Sequence, residues 1–333
     1  MKGLVVGGGS IGTRHLNNLM AFGVNQLSVV EPEVERRTAI IEKGVTCFSS
    51  LERGFEWKPN FVIIATPTYL HVTQAVEAAR KGFHLFVEKP LSHTEVGLKE
   101  LLVEVERRGL VSLVGCNMRF HPGPAKVKEV LEQGSIGRVL FTRIHTGSYL
   151  PMWRPEQDYR KSYSANAKMG GGCILDCIHE IDLAHWYLGE VEEVFCFAEQ
   201  LSNLEIDVED VAFLICKHAN RSLSEIHLDY VQQTYERGCQ VVGEKGSIFW
   251  DFREGMVRWY NAANGHWQTF TQPENWQINQ MYLDEMKHFL ECIESGSATM
   301  LPIPEAIKVM RTALGAKVSA RSGYFVSTKS IAL

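Results

Sequence analysis

The stretch LVVGGGSIGTRHLNNLMAFG, residues 4–23, decides the fold of the first part of the chain. An apolar run leads into a G-x-G-x-x-G motif, and apolar residues at helical spacing follow it. Such a turn between a strand and a helix lets backbone N–H groups approach a pyrophosphate at the positive end of the helix. The stretch therefore predicts a dinucleotide-binding turn. Its candidate contacts are Gly7, Gly9, Ser10, Ile11 and Gly12.

The rest of the chain divides into two patterns. Up to about residue 120, short apolar runs alternate with helical patterns, which is typical of a doubly wound parallel sheet. Residues 191–271 instead form consecutive strand patterns with alternating polar and apolar residues, which indicates an antiparallel sheet with one solvated face. The pattern predicts an α/β Rossmann domain at residues 1–119 and an α+β domain at residues 120–333.

Composition narrows the class of protein. The chain has 333 residues, a net charge of −5 and 45% hydrophobic residues, so it resembles an ordinary globular protein with neither a nucleic acid nor a membrane as partner. No apolar run reaches about 18 residues, and the N-terminus enters a strand pattern directly, so neither a membrane helix nor a signal peptide is expected. Eight cysteines without a C-x-x-C pair favour reduced thiols, a cytoplasmic location and no metal site.

Side chains after the second and fourth strands predict the choice of cofactor. Glu31, at the end of the second strand, can accept hydrogen bonds from a ribose 2′-hydroxyl and repels a 2′-phosphate, which favours NAD. NADP remains an alternative because Arg36 and Arg37 lie nearby. The end of the fourth strand is also expected near the cofactor. Its candidate residues are Thr66, Pro67 and His71, of which His71 could equally make only local bonds.

Four motifs follow one another along the chain. They are G-x-G-x-x-G at 7–12, A-T-P-x-x-x-H at 65–71, E-K-P at 88–90, and G-G-G followed by Asp176 and His179 from residue 170. In this order they resemble the glucose–fructose oxidoreductase, inositol dehydrogenase and rhizopine-catabolism (Gfo/Idh/MocA) family. The resemblance implies a Rossmann domain and a C-terminal domain whose large open, mostly antiparallel sheet joins the subunits of a homodimer or homotetramer. It also implies an NAD(P)-dependent oxidoreductase that acts on a sugar, sugar acid, nucleotide sugar or cyclitol.

The resemblance implies roles for individual residues. Lys89 would be the active-site lysine, aimed at the nicotinamide by the turn at Pro90, with Glu88 beside the cofactor. Asp176 and His179 would face the substrate. The spacing D-x-x-H departs from the commoner D-x-x-x-H, but spacings of three and four both place two side chains on one helical face.

Oxidation of a secondary alcohol transfers a hydride to the nicotinamide and a proton to a base. We expect His179 to be that base, because an imidazole titrates near neutral pH, and we expect Lys89 to bind the substrate hydroxyl. Lys89 remains an alternative base if burial lowers its pKa. We expect Asp182 and His185, which lie further along the same pattern, to be buried polar residues whose hydrogen bonds are made within the protein.

Other polar residues are candidates for substrate binding. They are Asn117, Arg119, Trp153, Arg154 and Tyr163. The basic and aromatic cluster at residues 159–163 suits an acidic or nucleotide-linked sugar, and a solvated loop is an equal alternative. Two other functions stay open at this point: a regulator that senses NAD(P) or sugar without catalysis, and a reductase of a non-sugar substrate.

Overall fold

A six-stranded parallel sheet organises the first unit of the computed structural model, which describes residues 1–332. Its strands are β1 (Lys2–Val6), β2 (Gln26–Val30), β3 (Thr46–Phe48), β4 (Phe61–Ile64), β5 (His84–Glu88) and β6 (Ser112–Gly115). The spatial order is β3-β2-β1-β4-β5-β6, so the strand order reverses between β1 and β4. In such sheets ligands bind beyond the carboxyl ends of the strands at the reversal, which is where the glycine turn lies.

Helices connect these strands. They are α1 (Ser10–Ala21), α2 (Val34–Glu42), α3 (Leu51–Glu56), α4 (Thr68–Arg80) and α5 (Leu98–Arg108). Every residue of β4 is fully buried, as expected for a central strand covered on both faces. The Lys89–Pro90 peptide bond after β5 is cis.

A nine-stranded sheet organises the second unit. Its strands are β7 (Val139–Gly147), β8 (Val191–Glu199), β9 (Val211–His218), β10 (Leu223–Asp229), β11 (Glu236–Gly243), β12 (Gly246–Asp251), β13 (Met256–Asn261), β14 (His266–Thr271) and β15 (Val326–Ser327). The order is β14-β13-β12-β11-β7-β10-β9-β8-β15, and only β7 and β10 pair in parallel. The predicted fold class is therefore confirmed.

One face of this sheet is covered and the other is open. The covering helices include α6 (Pro122–Glu132), which contacts β12 and β13, and α8 (Ile178–Leu188), which contacts β7 and β10. A short helix, α7 (Cys173–Asp176), precedes α8. Exposed and buried residues alternate in β9, where Phe213 and Ile215 are exposed and Leu214 is buried.

The domain boundaries differ from those expected at residues 119 and 120. The first unit comprises residues 1–117 and 278–307, and the second comprises residues 118–277 and 308–332. Helix α9 (Ile278–Ser295) belongs to the first unit because Phe289 packs edge-on against Phe61 and Phe86, with ring centroids 5.8 and 5.6 Å apart. Helix α10 (Ile303–Ser322) begins in the first unit and continues in the second. Sequence periodicity cannot reveal such a return, since it reports local structure only.

No helix within residues 1–332 is long and apolar enough to cross a membrane.

Candidate active site

The turn between β1 and α1 leaves open space at one glycine and none at another. A Cβ added to Gly9 would have no heavy atom within 4 Å, whereas a Cβ on Gly12 would overlap the carbonyl oxygen of Gly7. Gly9 directly precedes α1, whose first N–H groups and positive end favour an anion. The turn therefore fits a dinucleotide whose pyrophosphate approaches the backbone at Gly9.

Glu31 lies beside this turn and is 4% exposed. Its carboxylate accepts hydrogen bonds from the backbone N–H groups of Gly8 (2.8 Å) and Glu33 (2.9 Å). Arg37 donates from Nη1 to the carbonyl oxygens of Glu31 and Pro32, both at 2.9 Å. The carboxylate is thus held where a ribose hydroxyl is expected, and Arg37 is engaged by the backbone rather than presented to a 2′-phosphate.

His71 is buried between two loops of the first unit. Its Nε2 lies 2.8 Å from the carbonyl oxygen of Thr66, and its Nδ1 lies 2.9 Å from that of Pro90. The Thr66 hydroxyl donates to the side chain of Gln74 at 2.7 Å. The sequence left two interpretations of His71, contact with the cofactor or local bonds only. The structure shows hydrogen-bond contacts within the protein. Burial lowers the pKa of His71, while the two carbonyl oxygens act in the opposite direction.

Lys89 directly follows β5 and is half-buried. The carboxylate of Glu88 accepts the backbone N–H of Lys89 at 3.2 Å and lies 2.6 Å from Nε2 of His15. His15 is fully buried on α1, one turn after Gly12. The E-K-P segment is thus attached to the helix that begins at the predicted dinucleotide turn.

Tyr282 of α9 lies near the same segment. The Arg14 guanidinium stacks 4.4 Å from the centroid of its ring. Burial raises the pKa of the Tyr282 phenol, as does the Glu88 carboxylate, whereas Arg14, a hydrogen bond from Asn117 and the charge of Lys89 lower it. Asn117, predicted to contact the substrate, is thereby brought to Tyr282 within the first unit.

Asp176 ends α7 and accepts hydrogen bonds from three hydroxyl groups. Tyr163 donates to Oδ1 at 2.9 Å, and Ser164 and Tyr230 donate to Oδ2 at 2.6 and 3.3 Å. Burial raises the pKa of Tyr230 well above its usual range, and the neighbouring Asp176 carboxylate adds to this. Tyr230 is therefore a neutral donor. The ring of Trp153 packs edge-on against Tyr230, with centroids 5.3 Å apart.

The prediction of one helix carrying both Asp176 and His179 is wrong. Helix α7 ends at Asp176, Cys177 has φ −91° and ψ 33°, and α8 begins at Ile178. The two sides of the break have different partners, because Asp176 is held by the hydroxyls of Tyr163, Ser164 and Tyr230, whereas Glu180 and Asp182 of α8 are held by arginines. The glycine turn at 170–172 contributes to this arrangement, since a Cβ on Gly171 would overlap the carbonyl oxygens of Tyr163 and Ser164.

Two carboxylates of α8 form buried ion pairs. Arg119 donates to Asp182 through Nε (2.9 Å) and Nη2 (2.7 Å), and the Arg237 Nε lies 2.8 Å from Oε1 of Glu180. Asp182 and Glu180 are fully buried. The predicted structural role of Asp182 agrees with this bidentate pair. The contact of Arg119 with a substrate stays a prediction.

His185 also has a structural partner. Its Nε2 lies 2.9 Å from the hydroxyl of Thr312. Burial, assisted by His218, Arg119 and Lys308, lowers the pKa of His185 to about 3, so its imidazole is neutral at physiological pH. Of the two histidines of α8, His179 is therefore the candidate for proton transfer.

The loop before α7 is less basic than its sequence indicates. Arg160 pairs with Asp158 (2.8 Å) and Glu205 (2.7 Å), so its charge is compensated within the protein. Trp153, Arg154 and Tyr163 line a small cavity of about 30 Å³ in this loop.

Two domain models of one family match most of the chain. The model described as "Oxidoreductase family, NAD-binding Rossmann fold" matches residues 1–116, and the model described as "GFO/IDH/MocA C-terminal domain" matches residues 125–249. The chain belongs to the GFO/IDH/MocA family. It is therefore an oxidoreductase whose first domain binds NAD, as the glycine turn and Glu31 predict.

Similar proteins include two inositol dehydrogenases. Myo-inositol 2-dehydrogenase of Thermotoga maritima is 28% identical over 304 residues, covering 88% of each chain. The scyllo-inositol 2-dehydrogenase (NAD(+)) of Bacillus subtilis is 25% identical over 331 residues, covering 96% of this chain and 94% of the relative. A crystal structure of an Agrobacterium radiobacter oxidoreductase with NAD+, L-tartaric acid and magnesium has a TM-score of 0.87 at 21% identity, covering 100% and 99%. This last likeness supports the GFO/IDH/MocA fold.

Sequence reasoning missed several residues of this GFO/IDH/MocA site. The sequence pattern did not identify His15, Ser164 or Tyr230. His15 carried a usable signal, because a histidine one turn after the glycine motif lies on the helical face that packs on the sheet. Ser164 and Tyr230 carried none, since only folding brings them to Asp176.

We expect Gly9→Ala and Gly12→Ala to separate cofactor binding from stability. Gly9→Ala fills the open space beside the backbone and should weaken NADH binding with little change in stability. Gly12→Ala forces α1 away from Gly7 and should destabilise the protein by about 1–3 kcal/mol. NADH fluorescence titration and urea unfolding measure the two effects. Equal losses of stability in both variants would contradict the separate roles of Gly9 in cofactor binding and Gly12 in packing.

We expect Asp182→Asn to destabilise the protein strongly, because it leaves the buried Arg119 charge without its carboxylate. Loss of one partner of a buried pair costs about 3–5 kcal/mol. Glu244→Gln is the matched control, since its pair with Arg138 is 47% and 57% exposed, and it should change stability by less than about 0.5 kcal/mol. Thermal and urea unfolding of both variants test the difference; similar small effects would refute it.

Proposed function

We propose that this protein is an NAD-dependent dehydrogenase that oxidises a secondary alcohol of a neutral sugar or cyclitol, or reduces the corresponding ketone. The observation that carries the proposal is the set of contacts around Asp176. Three protein hydroxyls already hydrogen-bond to this carboxylate, in the segment that also carries His179. These contacts make hydroxyl groups the characteristic partners of this segment, and a polyol or cyclitol offers the same kind of donor and acceptor.

The charges of the second unit favour a neutral substrate over an acidic one. Glu180 and Asp182 are paired with Arg237 and Arg119, and the cation at Arg160 is paired with two carboxylates. These arginines are thus used inside the protein rather than left to bind a carboxylate or phosphate. The two inositol dehydrogenases similar to this chain agree with a cyclitol among the candidates.

The proposed mechanism assigns cofactor binding, proton transfer and substrate polarisation to different residues. Gly7, Gly9, Gly12 and Glu31 would hold the dinucleotide, and bound NAD would accept the hydride from the alcohol carbon. The Nδ1 atom of His179 is buried, so Nε2 is the atom assigned to take the hydroxyl proton. The Lys89 ammonium is assigned to bind and polarise the substrate oxygen, and Asp176 to orient a neighbouring hydroxyl.

We expect Lys89→Ala and His179→Ala each to reduce turnover by about 100-fold or more, because each removes a proton-handling or polarising group. A panel of polyols, sugars, sugar acids and nucleotide sugars is assayed with NAD and NADP by absorbance of the reduced cofactor. NADH binding by fluorescence should persist in both variants. Binding of NADH without turnover across the panel would instead favour a sensing regulator, and preferred turnover of acidic sugars would refute the neutral substrate.

We also propose that the open face of the nine-stranded sheet joins two copies of this chain. Large apolar side chains are exposed there, and strand pairing places them on one face. They are Phe197 (54% exposed), Phe213 (45%), Ile215 (38%), Leu223 (46%) and Trp267 (57%). Opposite charges lie among them, as in the pair of Arg143 with Glu225 at 3.1 Å. A mixed apolar and charged face of this kind can pair with itself about a two-fold axis.

We expect Phe213→Glu to convert the oligomer to a monomer, because it buries a charge in the proposed interface. Val103→Glu is the control, since Val103 is similarly exposed on α5 of the first unit. Light scattering after gel filtration gives the mass of each. A monomeric native protein, or a Phe213→Glu variant that keeps the native mass, would contradict the interface.

A cytoplasmic location is part of the proposal. Within residues 1–332 none of the eight cysteines forms a disulfide bond, and seven of them are buried, as is usual for proteins of a reducing compartment.

A further inference from the structure

The Glu88-Lys89-Pro90 segment is held by a buried histidine at each end. His15 of α1 bonds to the carboxylate of Glu88, and His71 of α4 lies against the carbonyl oxygen of Pro90. We propose that His15 and His71 are positioning residues that fix the Lys89 amine for the reaction. This proposal rests on the proposed function, in which Lys89 binds the substrate oxygen.

His15 acts on Lys89 through Glu88. The ring is fully buried, packs edge-on against Phe86 with centroids 4.9 Å apart, and reaches Oε1 of Glu88 with Nε2 at 2.6 Å. The other carboxylate oxygen accepts the Lys89 N–H at 3.2 Å. The His15 Nδ1 has no hydrogen-bond partner within residues 1–332, so a neutral ring carries its proton on Nε2 and donates it to Glu88.

His71 acts on the other side of Lys89. Its two nitrogens face two carbonyl oxygens, of Pro90 and Thr66, and a neutral imidazole has only one N–H to donate. Pro90 directly follows Lys89, so the contact of Nδ1 with the Pro90 carbonyl oxygen is the one that our proposal requires. A neutral ring would then carry its proton on Nδ1, and the Asn and Gln variants described below distinguish this contact from that with Thr66. The contact with Thr66 is then secondary for Lys89.

Both histidines lie on rigid elements. Helices α1 and α4 follow β1 and β4, the two strands at the reversal of the sheet, and β4 pairs directly with β5, which carries Glu88. A side chain held by packed helices keeps its geometry better than one on a loop. The histidines therefore link the orientation of Lys89 to the helix that begins at the dinucleotide turn.

Asparagine and glutamine variants test this, because each keeps one of the two nitrogens. The Asn amide nitrogen replaces Nδ1, and the Gln amide nitrogen replaces Nε2. We expect His15→Gln and His71→Asn to retain the productive bond, and His15→Asn and His71→Gln to lose it. Loss should slow the chemical step by about 10- to 100-fold, the usual effect of a misplaced catalytic group.

Three measurements distinguish positioning from a merely structural role. The deuterium isotope effect on kcat should rise in His15→Asn and His71→Gln, since chemistry then limits turnover. NADH affinity should be equal within each Asn/Gln pair, whereas Tm should be lower in the member that loses the buried hydrogen bond. The third measurement is the rate at which the Lys89 amine is labelled in the cofactor-free protein. Mass spectrometry gives this rate, and Lys89→Arg identifies the labelled peptide. The rate should change only in the variants that lose the bond.

The proposal is overturned if the Asn and Gln variants of one histidine have the same kcat and the same Lys89 labelling. It is also overturned if His15→Asn or His71→Gln is the variant that retains function. Should a His15 variant not fold, Glu88→Gln replaces it, because it weakens the same bond and must also alter Lys89 labelling. The His15 and His71 pairs are judged separately, so that either pair alone can overturn its part of the proposal. If no substrate of the panel is turned over, the proposed function fails, whereas labelling of the cofactor-free protein still tests the positioning of Lys89.

Discussion

The close approach of α1 to the start of the glycine turn is the constraint on which the cofactor side of the molecule depends. At Gly12 there is no room for a Cβ against the carbonyl oxygen of Gly7, so the helix lies as near to β1 as a backbone permits. This contact fixes where the positive end of α1 points. It also fixes where His15, one turn later, meets the sheet. A glycine needed for packing thus sets both the dinucleotide turn and the hydrogen bond that reaches Glu88.

On the substrate side, the cost of burying charge explains the arrangement of the polar residues. A buried carboxylate is tolerated when a partner and further hydrogen bonds compensate for lost hydration. Asp182 has a bidentate arginine, Glu180 has a second arginine, and Asp176 has three hydroxyls. The two kinds of partner separate Asp176, which is held by hydroxyl groups, from Glu180 and Asp182, which are held by arginines. The break at Cys177 lies between Asp176 and α8.

Family membership and side-chain geometry answer different questions about this protein. The two matching domain models establish an oxidoreductase with an NAD-binding Rossmann domain, a class that covers many substrates. Arg160 belongs to the cluster whose sequence suits an acidic sugar, but it pairs with Asp158 and Glu205, so its charge is compensated within the protein. Charge in a sequence therefore indicates a ligand only after the partners of each charge within the fold are known.

The sequence by itself determined the order of strands and helices and the nucleotide turn. It also determined the preference for NAD that Glu31 indicates, and the motifs around Lys89, Asp176 and His179. These are local features, readable from periodicity and from residue types at fixed spacing. Only the tertiary structure decided that residues 278–307 return to the first unit, that Tyr230 and Ser164 hold Asp176, and that the helix breaks at Cys177. Each of these depends on contacts between residues distant in sequence or on competition among several hydrogen bonds. A pattern along the chain carries no information on which of those contacts prevails.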